Sequence, residues 1–239
     1  MRSPSPPHAP AVVAACGLEA EARIAQGPRV RTVLGGGQAA LLRTRLAAAV
    51  AAGGVAGIAS FGIAGGLDAG LRPGTLVIAS WIAGPRRRWI ADPRWVEALE
   101  QICSGAVTAG IEGSDAPVAS VEEKQRLNAV AGAAAVDMES HIVAEIAHGA
   151  GLPFAAIRVV ADAADKALPP AALVPLRADG KPDLPRVLAA VAGDPRQLPA
   201  LIRVARDTAT ALASLRRIRR QLGLGLACPD LLELVLDMP

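Results

Sequence analysis

Short runs of Ala, Val, Leu and Ile recur along the chain, each closed by glycine or proline, with helix-spaced segments between them. Ala11 to Cys16 is continuously apolar and ends at Gly17, as expected of a strand buried on both faces. Glu19 to Ala25 reads as the start of a helix, and Arg29 to Leu34 as a second strand closed by Gly35-Gly36-Gly37. Gln38 to Ala52 has helical composition with Leu41, Leu42 and Leu46 on roughly one side. Val55 to Ser60 predicts a third strand, followed by a turn at Gly62-Ile63-Ala64-Gly65-Gly66. Beyond the turn Arg72-Pro73-Gly74, Thr75 to Trp81 is rich in β-formers. Gly84 to Arg94 reads as a charged loop, Trp95 to Cys103 as a short helix, and Gly105 to Gly113 and Pro117 to Val121 as strands. Glu122 to Leu127 begins a further helix.

The C-terminal half continues the alternation. Met138 to Ala150 carries Ile142, Val143 and Ile146 at helical spacing and is stopped by Gly151 and Pro153. Phe154 to Val160 is a strand whose lone charge, Arg158, reads as an anchor for a nearby carboxylate, and Lys166 to Pro185 is a proline-rich loop without a regular period. Leu188 to Arg220 is helical, with a break near Gly193-Asp194-Pro195. Strands alternating with helices predict one α/β domain over residues 11–239, its sheet parallel or mixed and covered by helices on both faces. Residues 1–10, with four prolines and no apolar run, read as a disordered start. The uncharged stretch from Leu46 to Leu67 is long enough to cross a bilayer, but it is mostly Ala and Gly and reads instead as a helix, a strand and a glycine loop.

Composition narrows the functional classes. Of 239 residues 52% are hydrophobic but only 2% aromatic, so the core is aliphatic. The net charge of +3 comes from scattered basic residues, the densest being Arg86-Arg87-Arg88 and Arg216-Arg217 with Arg219-Arg220. Without interleaved aromatics this does not describe a nucleic-acid surface, although the Arg86 run is able to meet an anionic membrane. Cys16, Cys103 and Cys228 form no CxxC pair, which predicts a reducing, cytoplasmic setting and no metal site. His141 and His148 share a helix face but lie seven residues apart, too far for a shared metal.

The chemistry concentrates between Val136 and Asp165. Glu139 and Asp162 stand at the two ends of one helix-turn-strand unit, beside apolar runs. One carboxylate able to hold a polyol and one able to donate a proton suit cleavage of a sugar–base bond.

An ordered set of motifs makes this specific: Gly17-Leu18-Glu19-x-Glu21, Gly62-x-Ala64-Gly65-Gly66-Leu67, Val136-Asp137-Met138-Glu139-Ser140 and Arg158-x-x-x-Asp162-x-Ala164-Asp165. The set resembles the nucleoside phosphorylase and nucleosidase superfamily, including its methylthioadenosine/S-adenosylhomocysteine nucleosidases. Gly113-Ser114-Asp115-x-x-Val118-Ala119-Ser120 and the segment Leu173 to Pro185 are most similar to the hopanoid-associated phosphorylases.

The resemblance implies a three-layer sandwich with a mixed central sheet flanked by helices, and a homodimer. It also implies cleavage of an adenine nucleoside of the adenosylhopane type, whose apolar 5′ group would need a greasy channel from Leu168 to Leu184. A methylthioadenosine/S-adenosylhomocysteine nucleosidase and a non-catalytic nucleoside- or lipid-binding protein are the alternatives. In this scheme Asp162 protonates the leaving base, Glu139 holds the ribose hydroxyls and Met138 packs on the sugar. Val118 holds the base through its backbone, Phe61 stacks in place of an aromatic lost at Pro117, and Gly62 and Ile63 approach the ligand. Ile63 stands where the nucleosidases have a hydroxyl residue, which leaves the nucleophile open. Glu21 matches the carboxylate that activates water, whereas Gly35, Gly36 and Gly37 offer backbone N–H groups to inorganic phosphate as co-substrate. No resident cofactor is expected.

Overall fold

Successive residues of the first strand, β1 (Ala11–Cys16), serve different cores. Val12, Ala14 and Cys16 join one apolar cluster and Val13 and Ala15 the other, which is why the strand is apolar throughout rather than alternating. The computed structural model describes residues 10–231, so the expected disordered start, apart from Pro10, and residues 232–239 of the expected domain lie outside the described residues.

Elements follow in the order β1, α1 (Glu19–Ala25), β2 (Val30–Leu34), α2 (Ala39–Ala51), β3 (Val55–Gly66), β4 (Leu76–Ala83), β5 (Arg88–Ile90) and α3 (Pro93–Ile102). Then come β6 (Val107–Gly113), α4 (Val121–Ala131), β7 (Ala133–Asp137), α5 (Ser140–Ala150), β8 (Phe154–Asp162), α6 (Leu184–Gly193) and α7 (Leu198–Gln221). The sheet is mixed. β1 pairs in parallel with β2 and β3, β3 with β8, and β4 and β7 each with β6, whereas β3–β7, β4–β8 and β4–β5 are antiparallel. The path β3–β8–β4–β6–β7 returns to β3, so the middle of the sheet closes on itself. On one face Trp95 and Leu99 of α3 and Ala211, Leu215 and Ile218 of α7 bury the sheet, and on the other Leu42 and Leu46 of α2 and Ile142 and Val143 of α5. The expected α/β sandwich with a mixed, helix-flanked sheet is therefore present.

Several local expectations needed tertiary correction. Gly62 to Gly66 is no turn: it is the second half of β3, held straight by pairing with β8 and β7. Pro117 to Val121 is no strand. Pro117 lacks a ladder N–H, and Ser120 instead caps α4 by accepting the Glu123 N–H at 3.1 Å. The charged loop Gly84 to Arg94 contains β5, whose Arg88 guanidinium lies 3.7 Å from the Trp81 ring centroid. Ala133 to Asp137 went unseen because three alanines carry little strand preference, and burial between β3 and β6 decides the matter. The uncharged stretch Leu46–Leu67 is the end of α2 plus β3, and among the described residues no helix is long and apolar enough to cross a membrane.

Candidate active site

Four elements end at one cavity of about 220 Å³: β1 and the start of α1, the far half of β3, the β7–α5 junction, and the end of β8. Its lining brings together Glu21, Ile63, Val118, Met138, Glu139 and Asp162, which are scattered across the sequence. The position follows from topology, because parallel strands leave a crevice at their carboxyl ends where successive connections diverge.

Glu21 is fixed by backbone. Its Oε2 accepts N–H groups of Gly17 at 2.9 Å and Leu18 at 2.8 Å, and its Oε1 accepts the Ile63 N–H at 2.7 Å. Burial raises its pKa, while Arg158 and these three donors oppose the rise. Glu19 points elsewhere, to Arg23 at 2.6 Å. A Cβ at Gly62 would collide with the Glu21 carboxylate and lie 2.8 Å from Arg158 Nη1, and one at Gly17 would lie 2.6 Å from Glu139 Oε1. Both glycines thus admit carboxylates against the backbone.

Glu139 sits at the N-terminal end of α5, where Asp137 does the capping: its Oδ1 accepts the Glu139 N–H at 3.1 Å and the Ser140 N–H at 2.8 Å. Arg158, buried in the middle of β8, has Nε 2.7 Å from Asp137 Oδ2, and its Nη2 donates to Glu139 Oε2 at 3.1 Å and to the Ser60 hydroxyl. The Ser140 hydroxyl closes the network between Ser60 and Asp137. Burial alone would lower the Arg158 pKa, but Asp137, Glu139 and Glu21 reverse this and keep it charged. One guanidinium does not neutralise three carboxylates. Burial pushes the Glu139 carboxyl up to about 7 against the pull of Arg158, with Asp137 and Glu21 adding to the rise. The site therefore retains a proton near neutrality.

Asp162 ends β8 and faces the cavity. Burial raises its pKa, and Lys124 offsets part of that. The Lys124 side chain is wholly buried. Its ammonium donates to Asp162 Oδ2, to the Ala163 carbonyl at 3.0 Å and to the Lys166 carbonyl at 2.9 Å. In sequence Lys124 follows Glu122 and Glu123 and looks like part of a solvated helix face, so no local signal marks it. Ser60 was likewise unmarked, and Asp137 and Ser140 stood in a motif without a role of their own, whereas Arg158, isolated in an apolar strand, was legible as an anchor for a carboxylate.

Not every expected residue reaches the cavity. Phe61 alternates away from Ser60 and is buried in the cluster with Trp95 and Leu99, so it is not positioned to stack on a ligand. Gly62 makes room for Glu21 and does not line the cavity itself. Of the glycine run only Gly37 lines it. Gly35 packs on Leu42, and Gly36 lies under the strap that follows β8, where a Cβ would meet the Arg177 carbonyl oxygen at 2.9 Å. Leu168 and Leu176 of that strap line the cavity, while Leu173 and Val174 do not. The strap is pinned by Leu168 N–H to the Ala119 carbonyl at 2.9 Å and by Glu19 N–H to the Gly180 carbonyl at 3.1 Å.

Solved structures with the same fold include three nucleosidases. The 5′-methylthioadenosine/S-adenosylhomocysteine nucleosidase of Neisseria meningitidis, in complex with methylthio-immucillin-A, is 20% identical and superposes with a TM-score of 0.62 over 87% of this chain and 96% of its own. The corresponding Helicobacter pylori enzyme is 14% identical, with a TM-score of 0.63 over 91% of this chain and 100% of its own. The S-adenosylhomocysteine nucleosidase of Streptococcus pyogenes, in complex with 5-methylthiotubericidin, is 16% identical, with a TM-score of 0.59 over 87% and 97%. At these identities the likeness is one of fold. No curated protein sequence matches the chain. The phosphorylase superfamily profile matches residues 10–176, from the first strand into the strap that carries Leu168 and Leu176. Carrying that family's pattern over most of its length, the chain belongs to the phosphorylase superfamily.

Proposed function

We propose that the protein cleaves the N-glycosidic bond of an adenine nucleoside, with Asp162 as the acid that protonates the leaving base. The observation that carries this is the placement of Asp162, Glu139 and Glu21 around one cavity, each with a different supporting shell. Burial raises the Asp162 pKa, the direction that favours a proton donor, although Lys124 offsets part of the rise. Glu139 is able to accept hydrogen bonds from two vicinal hydroxyls and sits where positive charge would develop on the ribose. Met138 and Val118 supply apolar walls.

Water is the favoured nucleophile. Three N–H groups orient Glu21 and occupy most of its acceptor capacity, leaving an acceptor site free for water. The Arg177 and Ala178 carbonyl oxygens lie against Gly36, an unfavourable setting for an incoming anion. Phosphorolysis is the second reading, favoured by Gly37, whose left-handed backbone lines the cavity at the start of α2. The apolar strap residues Leu168 and Leu176 suit a nucleoside with a large apolar 5′ substituent of the adenosylhopane type, in a cytoplasmic homodimer able to approach a membrane. A short 5′-thioether nucleoside fits the same three carboxylates, and a non-catalytic binding protein would keep the cavity without turnover.

Adenine release from adenosine, 5′-methylthioadenosine and a 5′-alkylated adenosine, measured with and without inorganic phosphate, tests these readings. Release independent of phosphate and highest for the alkylated nucleoside is expected. Release that requires phosphate replaces hydrolysis by phosphorolysis, and no release from any of the three overturns the enzymatic reading.

A further inference from the structure

The segment from Ser114 to Ser120 joins β6 to α4 without helix or strand of its own, and its Ala116, Pro117 and Val118 line the cavity. A few contacts must therefore set its position. Backbone fixes the two ends: the Ser114 N–H donates to the Asp137 carbonyl at 2.8 Å, and the Ala119 carbonyl accepts the Leu168 N–H at 2.9 Å. Val118 packs with Leu67, Ala133 and Val136. The Ser114 hydroxyl bonds only within the segment, donating to the Ala116 carbonyl at 2.6 Å and accepting the Ala116 N–H at 3.2 Å. Among the described residues, one side-chain hydrogen bond ties the middle of the segment to another element. His141 Nε2 lies 3.0 Å from Asp115 Oδ1.

His141 stands in the first turn of α5, two residues after Glu139, and is 2% exposed. Its ring lies against Gly113, where a Cβ would collide with it, so glycine is what admits the ring there. Nδ1 is buried without a partner. The tautomer that leaves no buried donor unpaired therefore carries its proton on Nε2 and donates it to Asp115. The Asp115 side chain, by contrast, is 63% exposed. We propose that His141 and Asp115 form a latch that sets the cavity wall Ala116–Val118 at a fixed distance from Glu139. One helical turn then carries both references, Glu139 for the ribose and His141 for the wall beside the base. His141 does not line the cavity, so it is a positioning residue that acts through the segment. The assignment of this wall to the base rests on the proposed function; the latch itself is measured without substrate.

Asp115→Ala removes the acceptor at an exposed position, and Asp115→Asn keeps an oxygen there. Amide hydrogen exchange of the full chain, without ligand, is the first measurement. In Asp115→Ala, exchange at Ala116, Val118 and Ala119 should accelerate by roughly three- to tenfold, with α5 unchanged and Asp115→Asn close to wild type. Steady-state kinetics with adenosine is the second. Asp115→Ala should raise KM by the same roughly three- to tenfold with kcat little changed. Inhibition by adenine should weaken in parallel, inhibition by ribose should not, and Asp115→Asn should restore KM. In a His141→Leu background Asp115→Ala should have no further effect; if His141→Leu fails to fold, the Asp115→Asn rescue decides. The proposal is overturned if exchange in the segment is unchanged in Asp115→Ala, or if the His141 and Asp115 effects simply add. It is also overturned if kcat falls with KM unchanged, or if adenine and ribose inhibition weaken equally. A wild type that releases no adenine would sink the enzymatic reading, and the exchange measurement would still decide the latch.

Discussion

Lys124, with no exposed surface, directs its ammonium at Asp162 and satisfies its other donors on the Ala163 and Lys166 carbonyls. The pair couples the proposed acid to the segment that leaves β8. Removing the cation alone strands a carboxylate in a largely buried site. Lys124→Met should therefore cost about 3 kcal/mol of stability, and Lys124→Met/Asp162→Asn less than the sum of the single changes. Denaturant midpoints of the three variants check this. In Lys124→Met the high-pH limb of kcat/KM should move upward, because the cation holds the Asp162 pKa down.

Asp162→Asn keeps the shape of the side chain and removes the proton. Adenine release should fall by about 10²–10⁴-fold with the circular dichroism spectrum unchanged. Full activity in this variant would remove the central claim about the acid.

Stability should depend on pH through Glu139. Its carboxyl moves from an ordinary value near 4.5 to about 7 on folding, so the folded state binds the proton more tightly than the unfolded chain. Between those values the native state carries more protons, and stability falls as pH rises; above about 7 the loss is complete. Urea midpoints from pH 5 to 8 should decline, and Glu139→Gln should flatten the curve. An increase over that range would contradict the assignment.

Gly62→Ala places a methyl group where the Glu21 carboxylate and Arg158 now lie. Displacing Glu21 by even an ångström should lower kcat/KM by roughly 10²-fold. Measured beside thermal unfolding, a large kinetic loss with a small change in Tm supports the positioning role. Unchanged kinetics would show that Glu21 does not act on the nucleophile.

The sequence by itself determined the alternation of strands and helices, because burial on one or both sides imposes a period that apolar residues must follow. It also pointed to the three carboxylates that meet at the cavity, since Glu21, Glu139 and Asp162 lie in ordered motifs beside apolar runs. Arg158 was legible too, as a lone charge within a buried strand. Tertiary structure alone decided the rest. Strand β7 exists because β3 and β6 pair with it, and its alanines carry no preference of their own. Phe61 turned inward because β3 continues straight through the glycines, so strand alternation placed it in the core. Lys124 became the partner of Asp162 only when α4 packed against β7 and brought its ammonium to the end of β8. Such contacts join residues far apart in the chain, and their energy depends on burial that no local pattern encodes.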